Sequence, residues 1–246
     1  MRARPRGGSS VRARRLSGSA EARRVHVGVN EVSKAYGEGI RRALVLDRVS
    51  MTVDRGTSAS LVGPSGSGKS TLLALIAGLT TPNGGQILLG GTDVTALDER
   101  ERTQLRSQRI GVVMQRGGLL PFLSATENVE LALTLAGVRR RRSERARALL
   151  SELGLGARVD HRPAHLSGGE VRRVALAMAL AKGPELLLAD EMTGELDAAN
   201  AAAVMRLVLR ESRERGLTLL FATHSTMLAG LAQRRFILDT GCVTPT

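Results

Sequence analysis

The sequence predicts an α/β fold: a core on a mainly parallel sheet, an N-terminal antiparallel β portion before it, and an inserted α-helical lobe. Three observations predict it. A glycine-rich segment lies between an apolar strand and a helix. An apolar run, Leu186 to Ala189, ends in adjacent acids, as a buried parallel strand does. Between them, three successive stretches carry helical periodicity.

The first 24 residues hold eight arginines against one acid, Glu21, and supply +7 of the chain's net +13. They are rich in Gly, Ser and Ala and lack hydrophobic periodicity, so they cannot bury enough apolar area to offset their ordering entropy. Residues 1–24 are therefore expected to be a disordered basic tail, solvated or in contact with an anionic surface. No apolar segment follows these arginines as in a secretory signal, and no run of 18 apolar residues marks a membrane-spanning helix. A single cysteine, Cys242, excludes an internal disulfide framework and is compatible with a reducing cytosol. Four rings, Tyr36, Phe122, Phe221 and Phe236, are too few for a stacking platform on single-stranded nucleic acid.

A β-rich opening, about Val25 to Val53, leads to Gly63-Pro64-Ser65-Gly66-Ser67-Gly68-Lys69-Ser70, followed by Thr71. This is the GxxxxGK[ST] phosphate-binding loop of P-loop NTPases. Ala59 to Val62 reads as the end of a buried strand and Thr71 to Ala77 as a helix, the order the chemistry needs. Glycines let successive N–H groups point inward, and the helix N-terminus adds partial positive charge for phosphates. The chain uses arginine 33 times and lysine three times, so a lysine at position 69 is informative. A compact ammonium reaches the β/γ-phosphates, and the Ser70 hydroxyl ligates Mg²⁺.

Helical patterns then run over Ser124–Gly137, Ser143–Leu153 and Ser167–Ala181. Arg139 to Arg142 leads into the second and reads as a solvated face. Leu166-Ser167-Gly168-Gly169-Glu170 opens the third, with Ser167 placed to cap it and the paired glycines exposing N–H groups as a second anion site. The core resumes with strands at about 185–190, 217–222 and 235–239. Asp190 ends the first and suits the outer shell of Mg²⁺. Glu191 follows, placed to activate water as general base. His224 ends the next strand, within reach of a terminal phosphate. His26, His161 and His165 lack metal-ligand spacing and read as structural or surface residues.

Together these residues resemble the ATP-binding cassette (ABC) family of transporter ATPases over about residues 25–242, the Leu-Ser-Gly-Gly-Glu signature being the specific element. The resemblance implies further roles. Tyr36 stacks on adenine. Gln115 approaches Mg²⁺ and the attacking water and links the site to a membrane partner. Ser167, Gly168, Gly169 and Glu170 close on ATP held by the opposite subunit. Asp197 communicates across the dimer, and His224 is the switch histidine. Arg109 to Gln115, Leu119-Leu120-Pro121, Glu127-Asn128-Val129 and Thr193 to Asp197 resemble the macrolide-export and lipoprotein-releasing branch. Met114, Val171, Arg172, Met178, Met192 and Ser225 depart from the family pattern. None of them removes a phosphate, metal or water contact, but Val171, Arg172 and Met178 put the packing of the signature helix in question.

The expected organisation is a tail at 1–24 and one ATP-binding domain at 25–246, with the helical lobe at about 116–182. The resemblance implies an ATP- and Mg²⁺-dependent ATPase on the cytoplasmic face of the cell membrane. Its partners are a membrane-spanning permease subunit and a second cassette, identical or related, with nucleic acid not expected. The alternative is a soluble cassette ATPase acting on DNA or ribosomes, which the basic tail favours. A third class, a nucleotide-binding regulator without turnover, conflicts with the presence of both Glu191 and His224.

Overall fold

The computed structural model describes residues 24–37, 43–114, 118–194 and 196–245. Gln115, Glu195 and the basic segment up to residue 23 lie outside them. Three strands open the described chain: Val25–Tyr36 (β1), Ala43–Asp54 (β2) and Ser58–Val62 (β3). Apolar residues cross β1 and β2 on one face, with Val29 opposite Met51 and Val32 opposite Val49 in an antiparallel pair. After the glycine loop comes Lys69–Ile76 (α1), then Gly84–Leu89 (β4) and Thr92–Asp93 (β5). These last two join the first sheet, whose order is β2-β1-β4-β5. The expected antiparallel portion thus draws two of its strands from beyond the glycine loop: β4 pairs with β1 at long range, and β5 folds back on β4 after Gly90 and Gly91.

Glu99–Arg109 (α2) follows, then Ile110–Val113 (β6). Neither was anticipated, although Asp98 and Glu101 form a capping box at the start of α2. Between β6 and Leu186–Asp190 (β7) stand Ala125–Leu135 (α3), Arg142–Glu152 (α4) and Gly168–Leu180 (α5). Ser124 and Ser167 cap α3 and α5 with capping boxes, and Gly137 turns the chain at φ +81° after α3. The second of these helices begins a residue earlier than its serine suggests, with Arg141 at the N-cap in left-handed conformation and no side-chain cap. The three helices pack on one another, and α5 ties them to β6. Ala198–Glu214 (α6), Thr218–Thr223 (β8), Thr226–Ala229 (α7), Arg234–Asp239 (β9) and Cys242–Pro245 (β10) complete the chain.

The second sheet has the order β10-β9-β3-β8-β7-β6 and is parallel except for the β10–β9 pair. Both its faces are covered, which explains the near-continuous apolar runs of its strands. Leu186, Leu188, Leu220 and Ala222 join a core shared with α1 and the antiparallel sheet. Leu187, Ala189, Leu219 and Phe221, pointing the other way, join a core shared with α3, α4, α5 and α6. Arg172, doubtful as a core residue of α5, is 6% exposed and donates to the Met114 carbonyl at 3.4 Å; Met178 packs at the edge of the second core.

Candidate nucleotide site

The carboxyl ends of β3, β7 and β8 lie side by side because these strands are adjacent and parallel, the place where open α/β sheets bind ligands. β3 runs into the glycine loop. A Cβ on Gly63 would lie 2.1 Å from the Leu238 carbonyl oxygen in β9, so only glycine lets the loop leave the sheet here. Gly68 sits at φ +102° as the N-cap of α1 and offers no side-chain cap, which leaves first-turn N–H groups of that helix for an anion. Ser65, Gly66, Ser70 and Thr71 line the cleft that follows, with Val45 of β2 on its far wall. Lys69 is 4% exposed and donates to the carbonyls of Gly63 and Pro64 at 2.9 and 2.8 Å. The Ser67 hydroxyl is buried beneath the loop without a partner, and Pro64 accepts from the Ser67 N–H at 3.3 Å.

Asp190, at the end of β7, is buried and accepts a hydrogen bond from the Ser70 hydroxyl; burial raises its pKa, with the neighbouring Glu191 adding to the effect. Its Oδ1 is buried with no hydrogen-bond partner. An orphaned carboxylate oxygen beside a serine hydroxyl is an all-oxygen donor pair, which suits a hard divalent cation such as Mg²⁺. Among the described residues no three His, Cys, Asp or Glu gather as a metal cage.

Glu191 takes φ +40°, a strained value for a non-glycine residue, with its N–H donating to the Ala222 carbonyl of β8 at 3.1 Å. This turn aims its carboxylate into the cleft. Oε1 stands 3.5 Å from Lys69 Nζ, and Oε2 stands 3.7 Å from Nδ1 of His224, whose ring is largely exposed. Three residues from three separated motifs therefore meet. Gln115 falls outside the described residues.

Tyr36 is half-exposed at the end of β1, opposite Ala43 and so near Val45 of the cleft wall, but it does not line the cleft itself. Lys34 Nζ lies 4.9 Å from the centre of its ring and is anchored to Thr80 Oγ1 and the Thr81 carbonyl. One face of the ring thus carries a cation.

The signature residues form a second group. Ser167 Oγ accepts from the Glu170 N–H at 3.3 Å, and Glu170 returns a bond to the Ser167 N–H at 2.7 Å. This backbone bond, with Arg158 at 3.1 Å, holds the Glu170 carboxyl below its ordinary pKa. The cap thus uses the Glu170 N–H and leaves those of Gly168 and Gly169 without an intrahelical acceptor. A Cβ on Gly168 would meet Leu196 at 3.1 Å, so the signature abuts the loop leading to Asp197. Asp197 caps α6, accepting from the N–H groups of Ala199 and Asn200 at 3.1 Å each, and these bonds lower its pKa. None of these signature residues lines the cleft of Lys69.

One residue of the Glu127-Asn128-Val129 run has a positional task that the resemblance does not supply. Asn128 is fully buried in α3; its Oδ1 accepts from the Leu120 N–H at 2.7 Å and its Nδ2 donates to the carbonyls of Leu120, Leu123 and Ser124. It fixes the loop by which the chain enters the helices after position 115. A polar residue at an otherwise apolar helix position was the available signal.

A glycine loop on a helix start, facing an Asp-Glu pair across adjacent parallel strands, defines a P-loop nucleoside triphosphatase. Within that class, residues 46–194 match the profile of the ABC transporter family. The chain belongs to that family. It is 43% identical over 216 residues to the lipoprotein-releasing system ATP-binding protein LolD of Nitrobacter hamburgensis, covering 87% of this chain and 93% of that one. It is 42% identical over 214 residues to the macrolide export ATP-binding/permease protein MacB of Burkholderia pseudomallei, covering 87% of this chain and 33% of that one. A dimeric ATP-binding cassette in a post-hydrolysis state bound to ADP and Pi superposes with a TM-score of 0.82 at 35% identity. The match covers 89% of this chain and 97% of that one. Both halves of the expected branch are represented among these relatives.

Proposed function

We propose that this chain is the ATP-binding and ATP-hydrolysing subunit of a transporter, acting as one half of a cassette dimer beneath a membrane-spanning permease subunit. The observation that carries this reading is the meeting of Lys69, Glu191 and His224 at the ends of adjacent strands. In it, Lys69 and the loop N–H groups from Gly63 to Thr71 hold the β- and γ-phosphates, and Tyr36 packs on adenine. Ser70 and Asp190 would hold Mg²⁺, which when bound would draw charge from the phosphate oxygens; the family resemblance assigns Gln115 to the same ion. Glu191 takes the proton of the attacking water, and His224 holds the γ-phosphate and the glutamate in register. Ser167, Gly168, Gly169 and Glu170 act on the nucleotide of the opposite subunit, with Asp197 at that boundary. ATP thereby bridges two copies and favours the closed state; its cleavage removes the bridge.

The domain reading that fits is a single ATP-binding domain over 25–246 with a helical lobe at about 116–182. Among the described residues no helix is long and apolar enough to cross a membrane. The membrane-crossing part is therefore supplied from outside them, as the fused name of the Burkholderia relative suggests by analogy. A groove lined by Leu73, Leu79 and Met114 beside Ser70 and Asp190, with Leu79 and Met114 exposed, offers such a partner an apolar seat next to the metal ligands. In this reading the chain sits at the cytoplasmic face of the membrane through its partner. Detergent extraction of cells expressing Glu191→Gln, with ATP present, tests the reading. Co-purification of a polytopic membrane protein supports it, and co-purification of DNA or ribosomes in its place overturns it.

A further inference from the structure

The corner between α3 and α4 carries charge that the fold does not use. Its backbone is pinned: Ala136 N–H donates to the Ala132 carbonyl, Gly137 N–H donates to the Thr134 carbonyl, and Gly137 turns the chain at φ +81°. Val138 N–H then donates to the Leu133 carbonyl, seating Val138 against the core. From this corner project Leu135, 72% exposed, and the exposed Arg139, Arg140 and Arg141. Arg145 lies one turn into α4 on the face of Arg141. Arg141 approaches Glu144 at 3.6 Å. Among the described residues, Arg139, Arg140 and Arg145 have no ion pair or side-chain hydrogen bond. Arginines at the start of a helix oppose its dipole, and Arg141 leaves the helix uncapped, so folding does not account for them.

We propose that this corner docks on the anionic headgroups of a lipid bilayer. Unpaired arginines supply the attraction to lipid phosphates, and Leu135 beside them is the apolar side chain that enters the boundary between headgroups and acyl chains. A nucleic acid would satisfy the arginines but has no use for an exposed leucine, and the corner carries no aromatic ring for stacking on bases. The proposal goes beyond the transport reading and does not rest on it, because docking needs neither nucleotide nor permease.

The test is co-sedimentation of the full chain, free of nucleotide, with phosphatidylcholine vesicles that contain or lack phosphatidylglycerol. The triple variant R139Q/R140Q/R145Q is compared with R100Q/R206Q/R213Q, which removes the same charge from exposed arginines of α2 and α6. Each arginine near the surface is worth roughly a factor of five in partitioning, so the corner variant falls by about a hundredfold and the control by far less. Leu135→Ser lowers binding a few-fold and does so also in high salt, where charge attraction is screened. Binding only to the vesicles with phosphatidylglycerol is expected. Equal loss in both triple variants, or undiminished binding of the corner variant, assigns any attraction to net charge or the basic N-terminus and overturns the proposal. Absence of binding by the parent chain overturns it as well. So does a corner variant that loses duplex DNA while keeping vesicles.

Discussion

Glu191 stands between Lys69 at 3.5 Å and the His224 ring at 3.7 Å, on a backbone held at φ +40°. Glu191→Gln keeps the shape and loses the base, so phosphate release should fall by about 10²–10⁴. ATP binding should persist, because the loop N–H groups and Lys69 are untouched. A single-turnover phosphate assay decides it, and a parental rate in the variant would end the assignment. Tyr36 permits a second test at this scale. Tyr36→Ala should weaken nucleotide binding by about 1–3 kcal/mol, the range for stacking on a base. Titration with ATP and with tripolyphosphate separates base from phosphate: the loss should appear with ATP alone. The Asp-Glu pair was legible in the sequence because an apolar run ends in it. The left-handed turn that aims Glu191 was not, since a glutamate carries no local preference for that conformation.

At the scale of elements, Glu185 just ahead of β7 binds several pieces of the fold together. It accepts from Arg109 at 2.7 Å and Arg55 at 3.0 Å, and lies 3.3 Å from Nε2 of His26 in β1. The Arg109 bond foremost, with that of Arg55, lowers the Glu185 pKa from 4.5 to about 2. Its contribution to stability is complete above pH 4.5 and is lost as pH falls toward 2. His26 is fully buried, its Nδ1 2.5 Å from Thr218 Oγ1, and burial, aided by Arg55, lowers its pKa from 6.5. Its neutral form is favoured in the fold, so its contribution too is lost as pH falls below 6.5. Glu185→Gln should therefore lower Tm at neutral pH and flatten the acid-side decline below pH 4.5. Thermal melts across pH measure both; a parallel downward shift at every pH contradicts the linkage. The sequence hid this junction because Arg109 and Glu185 are 76 residues apart and neither belongs to a nucleotide motif. Helices were legible from their periodicity and, for α5, from Ser167 as a cap, whereas β4 and β6 are short strands defined by long-range partners in β1 and β7.

At the scale of the whole molecule, the motif residues divide into two groups. Lys69 and Glu191 line one cleft, with Asp190 beside Ser70 and His224 3.7 Å from Glu191, while Ser167 to Glu170 and Asp197 do not line it. On the proposed reading a single copy holds two incomplete half-sites, and a two-fold arrangement of copies would complete both at once. Gly169 allows this to be tested without disturbing the monomer. A Cβ there meets nothing within 4 Å, and an acid in the first turn of α5 agrees with the helix dipole. Gly169→Asp should therefore fold with parental Tm or slightly higher, and should bind ATP in the monomer with unchanged affinity. It places a carboxylate where the partner's phosphates must arrive, so only closure suffers. With MgATP, the Glu191→Gln chain should elute as a dimer in size-exclusion chromatography with light scattering, and the Gly169→Asp/Glu191→Gln chain as a monomer at the same nucleotide occupancy. A double variant that still dimerises would show that the signature does not face the second nucleotide. One that loses ATP already as a monomer would place the signature in the same chain's own site.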